Sequence, residues 1–491
     1  MNSPGKLEIG WATADLTPDA PVLVSGQFHC RISEGVRDPV TATALALASG
    51  DGVPAVSAVL VSCDLVGIPD SLLRAVRCRV RERLPDLDPQ WVVLNATHTH
   101  TAPEVRVESD YGQYGEGISS AGIEIELPAM KTAEYSEFAA DRIAGAIESA
   151  WLGRKPGAVA YGLGYAVIGR NRRSVYDNGE SRMYGDTRRP DFSHIEGYED
   201  HAVNLLAAWD DDGALTGLVI NVPCPSQVSE SEYCLSADYW HDTRLELRRR
   251  LGAGLFILPQ CSAAGDQSPH IQIGKAAEER MWRLAGRTQR QEIAVRIADA
   301  VDSVLSHIAR DRCAAPVFRH TVETVEVARR KLSEADVRQA LDEAAPLRQQ
   351  YETLRNELAA HPERKNEPRW YVPITYAYQR MRWCESVKAR YAMEQTQPRL
   401  AIEPHVLRLD DIAIATNPFE YYLDFGVQIK ARSRALQTFV VQLAGPGTYV
   451  PTARAVSGGS YGAIPASTPV GPEGGRELVE WTLAAIEKLW E

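Results

Sequence analysis

The chain has 491 residues, of which 44% are hydrophobic and 24% are charged, a composition typical of a globular protein with one large domain or two to three ordinary ones. Its formal net charge of −12 argues against binding to nucleic acid or to an anionic membrane. No apolar run approaches the roughly 20 residues that cross a bilayer, and the N-terminal stretch lacks the apolar segment of a secretory signal, so we expect a cytoplasmic protein.

Six apolar runs share one pattern, in which a buried strand leads at once into a cluster of polar residues. In chain order the clusters contain Asp64, then His98 and His100, then Cys224 with Ser226 and Gln227, then Asp266 with Ser268 and His270, then Glu420, and finally Tyr449. Helical patterns lie between many of the runs, at about 70–83, 134–151, 239–251 and 277–309. The alternation predicts an α/β fold, a layered mixed-sheet core with flanking helices and an active site at the strand ends.

The stretch NATHTH ends the second apolar run with two histidines, His98 and His100. Side chains alternate along a strand, so both imidazoles should point into one space. Imidazole is a common zinc ligand and the usual general base near neutral pH. The pair therefore predicts a metal or catalytic site, with two structural histidines as the alternative.

Three segments differ from this pattern. Residues 104–132 and 169–192 are irregular in composition and are predicted to be loops that form pocket walls. Residues 330–395 are predicted to be an inserted helical arm, which begins at a capping box of Ser333 and Asp336 and in which one helix could end at Pro346. We therefore divide the chain into a core at 1–329 and 399–491 and an insertion at 330–398, which could pack on the core or form a homo-oligomer contact.

Zinc catalysis needs about three protein ligands and one open position for water. The ligands that the strand-end clusters offer are His98, His100, Glu420, Tyr449 and Cys224. Groups that could move protons or orient a substrate are Asp266, Ser268 and His241. The eight cysteines are scattered without a CxxC pair, which predicts reduced thiols and neither a zinc ribbon nor a disulfide scaffold.

Several of these motifs occur in the order found in one known family. They are GWATADLTP, SCDLVGI, NATHTHTAP, GRNRRS, AAGDQSP, NPFEYY, and GTYVPT followed by SYGA. Over about residues 7–320 and 400–465 the chain resembles the neutral/alkaline, non-lysosomal ceramidases. That resemblance implies hydrolysis of an amide bond, as in ceramide, with one zinc ion in a deep pocket.

The resemblance also implies roles for individual residues. His98, Glu420 and Tyr449 match zinc ligands, and His100 matches a histidine that lines the site. Ser268, in the motif with Asp266, matches a serine proposed as a nucleophile or as a hydroxyl that orients the substrate. Arg172, beside Asn171, matches an arginine near the polar end of the substrate.

The chain departs from the family pattern at the second zinc histidine, where it has Cys224. A thiolate can bind zinc, His241 could fill the position instead, or the metal could be lost. The chain also ends soon after Tyr461, which leaves no room for the family's C-terminal immunoglobulin-like domain. Arg170, Arg172 and Arg173 favour a small polar or anionic substrate over ceramide.

Three hypotheses about function follow. The first is a zinc-dependent hydrolase that cleaves an N-acyl amide bond with metal-activated water. The second is the same fold acting on a polar metabolite or carbohydrate, as a hydrolase or a lyase. The third is a non-catalytic binding protein. In each case we expect a small-molecule ligand, with no nucleic-acid partner and no membrane span.

Overall fold

The structure is a computed structural model that describes residues 5–50, 56–110 and 122–491. Within these ranges its largest sheet has eight strands and is mixed, antiparallel through the middle and parallel at each edge. The strands, in order across the sheet, are Phe256–Cys261, Leu215–Val222, Ala202–Asp210, Lys155–Tyr165, Leu7–Asp15, Thr41–Ser49, Val56–Cys63 and Val92–Ala96.

A second sheet packs face to face against the first. Its four strands, in order, are Phe318–Val322, His405–Leu409, Ile412–Thr416 and Gln437–Val441, of which the last two are parallel. The layer between the sheets is apolar, with Leu45 and Leu60 of the large sheet packed with Ile414 and Phe439 of the small one. Successive side chains of each strand point to opposite faces of its sheet, so one face contributes to this apolar layer and the other packs against helices.

Helices cover the outer faces of both sheets. The α-helices of the described ranges, whether or not they cover a sheet, are Asp70–Arg83, Thr132–Leu152, Tyr239–Leu251, Lys275–Leu284, Gln289–Ile308, Glu334–Ala360, Tyr371–Thr396, Leu423–Arg432, Ala453–Gly458 and Pro472–Trp490. The early helices pack on the large sheet, and 423–432 and 472–490 pack on the small one. The result is a four-layer arrangement, helices, sheet, sheet, helices, which confirms the predicted α/β class.

Short ladders complete the fold. Four of them are two-stranded and pair Leu23–Val24 with Arg31–Ile32, Arg170–Asn171 with Gln267–Ser268, Val325–Ala328 with Arg399–Ile402, and Glu420–Tyr421 with Tyr449–Val450. A three-stranded sheet joins Ser181–Met183, Arg173–Tyr176 and Phe192–Ile195, in that order. The prediction of a loop at 169–192 was therefore wrong, because its alternating polar residues pair across strands. The predicted loop at 104–132 lies partly outside the described residues.

The region of the predicted arm holds two long helices, 334–360 and 371–396, which pair along their length. Pro346 lies inside the first helix and does not end it. A proline inside a helix costs about 3 kcal/mol, which the packing of the two helices around Ala344 and Cys384 can offset. The division of the chain into core and insertion remains a prediction. None of the helices in the described ranges combines the length and apolar character needed to cross a bilayer.

Backbone hydrogen bonds join the segments that follow the strands. The amide of Ala96 donates to Leu443 at 3.2 Å, and the amide of Leu443 donates to Phe419 at 3.1 Å. The amide of Ser226 donates to Thr97 at 3.2 Å. These bonds bring the ends of strands from both sheets together, which is the condition for one site built from distant segments.

Asp64, the polar residue after the strand Val56–Cys63, anchors a helix. Both of its carboxylate oxygens accept hydrogen bonds from the Arg244 guanidinium, at 2.8 and 3.0 Å, and the Thr41 amide donates to it at 2.9 Å. Asp64 and Arg244 are both buried. A buried, bidentate ion pair of this kind is costly to break, because one charge is left without a partner.

We therefore predict that Arg244→Met lowers the free energy of unfolding by about 3–5 kcal/mol, because it leaves Asp64 buried and unpaired. Arg249→Met, on the same helix, is the matched control, since Arg249 is exposed and its ion-pair partner among the described residues is Glu246. We expect the control to change the free energy of unfolding by about 1 kcal/mol or less. Urea unfolding measures both, and equal losses would contradict the assignment of Asp64 as an anchor.

A chain of titratable groups lies between the two sheets. His320 Nδ1 donates to the Ser57 carbonyl at 2.9 Å, and His320 Nε2 lies 3.0 Å from His405 Nδ1. Burial, with repulsion from His405, lowers the pKa of His320 to about 3. Burial alone would raise the pKa of Glu403, but hydrogen bonds from His405 and Arg77 outweigh it and lower that pKa to about 2.

These shifts predict that the protein loses stability in acid. Unfolding restores the pKa of His320 to about 6.5, so the unfolded state binds more protons at any pH between about 3 and 6.5. The stabilisation is complete above pH 6.5 and is lost as the pH falls towards 3, by about 2–4 kcal/mol from this residue. Urea unfolding from pH 7 to 4 should show a smaller pH dependence in His320→Gln, and equal slopes would contradict the prediction.

Candidate functional site

His98 and His100 lie side by side, although the strand before them ends at Ala96. His98 adopts φ of 63°, in the left-handed region that few residues other than glycine occupy. The two rings are 4.8 Å apart between centroids, and their Nε2 atoms are 3.3 Å apart. The rings do share one space, but a backbone turn at His98 brings them together and not the alternation of a continuous strand.

His98 has a fixed orientation. Its Nδ1 lies 2.6 Å from the Val66 carbonyl and must donate to it, because a carbonyl only accepts. Its Nε2 lies 3.3 Å from a carboxylate oxygen of Glu420. The contact joins the end of the large sheet to the segment that follows strand Ile412–Thr416 of the small sheet.

Glu420 and Tyr449 are neighbours on a short parallel ladder. Burial alone would raise the pKa of Glu420, but attraction to His98 and Arg172 outweighs it and holds the pKa below its ordinary value. Burial and the nearby carboxylate raise the pKa of Tyr449 well above its ordinary value. Tyr449 is therefore a protonated phenol beside an ionised Glu420.

Arg172 lies at the centre of the site and is buried. Its guanidinium donates to four groups, which are Tyr184 Oη at 2.8 Å, Gln227 Oε1 at 3.2 Å, the Gly265 carbonyl at 2.9 Å and Tyr449 Oη at 3.2 Å. Burial would lower its pKa, but the two tyrosines raise it well above the ordinary value. A permanent positive charge therefore holds four separate segments in place.

Gln227 links Arg172 to His100 by hydrogen bonds. Because Gln227 Oε1 accepts from Arg172, its amide nitrogen must face His100, where it lies 2.7 Å from Nε2. The amide donates, so His100 Nε2 is an acceptor and the ring proton is on Nδ1. Burial, together with repulsion from His98 and Arg31, lowers the pKa of His100 well below its ordinary value.

Two residues hold the other side of His100. Gly26 has φ of 98°, and a Cβ added there would lie 2.6 Å from the imidazole. Arg31 is buried and donates to the carbonyls of Glu230 at 2.8 Å and Glu232 at 2.6 Å, and also to those of Ser25 and His100. Because its partners are carbonyls, burial lowers the pKa of Arg31 to about 10.

The other predicted residues lie at the edge of this cluster. Ser268 is buried, and its Oγ accepts from Tyr184 Oη at 3.2 Å. Tyr184 Oη also accepts from Arg172, so one side chain separates Ser268 from Arg172. Asp266 accepts from the amide group of Asn171 at 2.8 Å and from the Leu423 backbone at 2.9 Å. Asp266 and Asn171 are both buried and hydrogen-bonded to each other, so they support the fold around the site.

The arginines beside Arg172 are neutralised. Arg173 is buried against Glu196, with its Nε 3.0 Å from the carboxylate. Arg170 pairs with Glu278. Arg170 and Arg173 therefore offer little free positive charge, which leaves Arg172 as the one of the three arginines that still supports the expectation of an anionic substrate.

The structure does not bring Cys224 or His241 to His98 and Glu420. Cys224 is buried in an apolar cluster with Trp240, and its thiol donates to the Pro225 carbonyl at 3.5 Å. Burial raises the pKa of this thiol well above its ordinary value, which disfavours a thiolate ligand. His241 lines a separate cavity on the helix Tyr239–Leu251. The pattern of polar residues after strands correctly placed Cys224 just after a strand, but it could not predict the direction of the thiol.

Other residues of the site were not predicted from the sequence. Gln227 lies three residues after Cys224 in the same polar cluster, which was a usable signal. Arg31 and Tyr184 gave no signal, because nothing in their local sequence is unusual. Trp383 of the second arm helix also lies near the site. Its ring centroid is 5.2 Å from that of Phe28, in an edge-on arrangement, and 6.0 Å from that of Tyr461.

His98 and Glu420 carry donor atoms of the kind that bind zinc. Ligands about 2.0–2.1 Å from a tetrahedral zinc ion are about 3.3–3.4 Å apart. His98 Nε2 has two neighbours at 3.3 Å, Glu420 Oε2 and His100 Nε2. His100 Nε2 already accepts from the Gln227 amide, so His98 Nε2 and Glu420 Oε2 are the two atoms that could share a cation.

The donor set is nevertheless small. In the described part of the chain, no group of three or more His, Cys, Asp or Glu side chains has the spacing to hold a metal ion. A zinc ion at His98 and Glu420 would therefore need another kind of ligand, and Tyr449 lies next to Glu420 on the short parallel ladder. Three protein ligands with one open position is the usual arrangement of a catalytic zinc ion.

We predict that Gly26→Ala displaces His100, because the new Cβ would lie 2.6 Å from the ring. Gly179→Ala is the matched control, since Gly179 has φ of 81° and open space around it. Both variants strain the backbone by about 1–2 kcal/mol and should lose similar thermal stability. Only Gly26→Ala should shift the signals of His100 in a spectrum of [15N]histidine-labelled protein, and an unshifted signal would contradict the packing described here.

No protein-family model matches the chain, and no curated protein is detectably similar to it in sequence. Two solved structures share its architecture. A ceramidase complexed with C2 has a TM-score of 0.66 and 15% identity, over 99% of this chain and 76% of that one. A neutral ceramidase from Pseudomonas aeruginosa has a TM-score of 0.64 and 17% identity, over 99% of this chain and 75% of that one. The chain therefore has the fold of the neutral ceramidases, as its sequence motifs predicted.

Proposed function

We propose that this protein is a zinc-dependent hydrolase that cleaves an N-acyl amide bond. The observation that carries the proposal is the contact of His98 Nε2 with the Glu420 carboxylate at 3.3 Å, with His100 Nε2 at the same distance from His98 Nε2. It is supported by the fold, which is that of proteins named ceramidases.

His98, Glu420 and Tyr449 would hold the zinc ion, and the proposed ligand set omits Cys224. The Val66 carbonyl fixes the His98 ring, in the way that a hydrogen-bonded partner commonly orients a metal-binding histidine. When bound, zinc would polarise an amide carbonyl and make a water molecule a better nucleophile near neutral pH.

The remaining residues would position the substrate and move protons. His100 Nε2 is the unprotonated nitrogen of its ring, and it could accept a proton from water once the Gln227 amide moves away from it. Ser268 and Tyr184 form a hydroxyl pair that can donate a proton towards the leaving amine. Arg172 keeps Tyr449 and Gln227 in place, and its charge favours the negative charge that develops on a carbonyl oxygen under attack.

The charges around the site favour an uncharged amide as substrate, because Arg170 and Arg173 are already paired. Release of amine from a ceramide-type N-acyl lipid, compared with N-acyl sugars and glycosides, tests the reaction class. Cleavage of glycosides alone would overturn the proposal. A cytoplasmic location and a homo-oligomer through the two arm helices stay predictions from the sequence.

We predict that His98→Ala loses both the metal and turnover, because it removes the central acceptor of the cluster. His241→Ala is the control, since His241 lies in a separate cavity and should keep about one zinc per chain and full activity. Elemental analysis with the amine-release assay measures both quantities. Full metal content in His98→Ala would refute the ligand assignment, even if turnover were lost.

A further inference from the structure

His100 has one nitrogen that the site leaves without a partner. Its Nε2 accepts from Gln227, so its Nδ1 carries the proton. Nδ1 is buried and makes no hydrogen bond within the described part of the chain. A buried N–H without an acceptor costs about 1–3 kcal/mol, so an acceptor close to it has a reason to be there.

Glu230 supplies that acceptor. Its Oε2 lies 3.7 Å from His100 Nδ1, slightly beyond hydrogen-bond distance, and its Oε1 lies 3.0 Å from His270 Nε2. One carboxylate thus lies between two imidazoles and presents one oxygen to each. Its side chain is 26% exposed, so it has room to move by the half ångström that a hydrogen bond to His100 requires.

The backbone of Glu230 is held firmly. Its carbonyl accepts from the Arg31 guanidinium at 2.8 Å and from the Gln27 amide group at 3.0 Å. Arg31 also donates to the carbonyl of His100 itself. Because one buried arginine ties the two backbones together, the carboxylate and the imidazole keep a fixed relation and only the side chain of Glu230 needs to adjust.

We propose that Glu230 is a positioning residue for His100, a carboxylate that bridges His100 Nδ1 and His270 Nε2 and holds the His100 ring with Nε2 facing Gln227 and His98. The proposal rests on the amide-hydrolase function proposed above. Nothing in the local sequence marked Glu230, which lies three residues after Gln227, the last residue of the third polar cluster. Carboxylates that orient a functional imidazole in this way are typically worth about 10–100-fold in activity.

The experiment compares three variants of the full-length protein. Glu230→Leu removes the acceptor, Glu230→Gln keeps an oxygen that can accept, and His270→Leu removes the competing imidazole and serves as the control. With the N-acyl substrate, we expect Glu230→Leu to lower kcat by about 10–100-fold with KM unchanged. Glu230→Gln and His270→Leu should stay near the wild-type kcat. A KM effect alone, or equal losses in Glu230→Leu and Glu230→Gln, would overturn the proposal.

A second measurement does not depend on activity. In [15N]histidine-labelled protein, the His100 Nδ1–H signal, identified by its loss in His100→Gln, should have the downfield proton shift of a hydrogen-bonded imidazole. Glu230→Leu should remove that shift and His270→Leu should keep it. The same signal in the wild type and in Glu230→Leu would overturn the role of Glu230. Absence of turnover in the wild type would instead refute the proposed function, and this spectrum would still decide the role of Glu230.

Discussion

The buried guanidinium of Arg172 is the interaction on which the site depends. It donates to four segments that are far apart in the chain, at Tyr184, Gln227, Gly265 and Tyr449. A charged donor in a buried position makes strong hydrogen bonds but is costly to leave unpaired, so all four partners are constrained together. The ends of strands from two sheets meet here because backbone bonds join them and this charge fixes their side chains.

The constraint continues outward from Arg172 to the imidazoles. Gln227 cannot turn its amide without losing Arg172, so it determines which nitrogen of His100 carries the proton. The Val66 carbonyl does the same for His98. The His98 ring is therefore fixed with Nε2 3.3 Å from Glu420 Oε2, whereas the lone pair of His100 Nε2 is directed at the Gln227 amide. The orientation of His98 towards Glu420 follows from a hydrogen bond outside the cluster and supports the metal ion proposed above.

Much of the fold could be predicted from the sequence, because strand and helix patterns are local. Apolar runs located the strands, and the polar cluster after each one located His98, Glu420 and Tyr449 at a shared edge. Orientation could not be predicted in the same way. Cys224 follows its strand like the others, yet tertiary packing turns the thiol into an apolar core. Pro346 shows the same limit, since contacts with a partner helix outweigh a local helix breaker.

The residues that the sequence did not reveal act through other residues. Arg31 and Gln227 hold backbone carbonyls or one imidazole, and such roles depend on contacts between segments that no local pattern encodes. The arm reaches the site in the same way, because Trp383 contacts Tyr461, whose ring lies 5.5 Å from that of Tyr449. The two arm helices therefore contribute to the wall around the cluster as well as packing on each other.

The proposed function requires a zinc ion bound by His98 and Glu420. The most direct measurement is a crystal structure of the protein purified without chelators, with anomalous diffraction data collected on both sides of the zinc absorption edge. The account predicts one anomalous peak about 2.0–2.2 Å from His98 Nε2 and from a Glu420 carboxylate oxygen, with Tyr449 Oη as the third ligand. A well-ordered site with no peak there, in crystals of active enzyme, would contradict it.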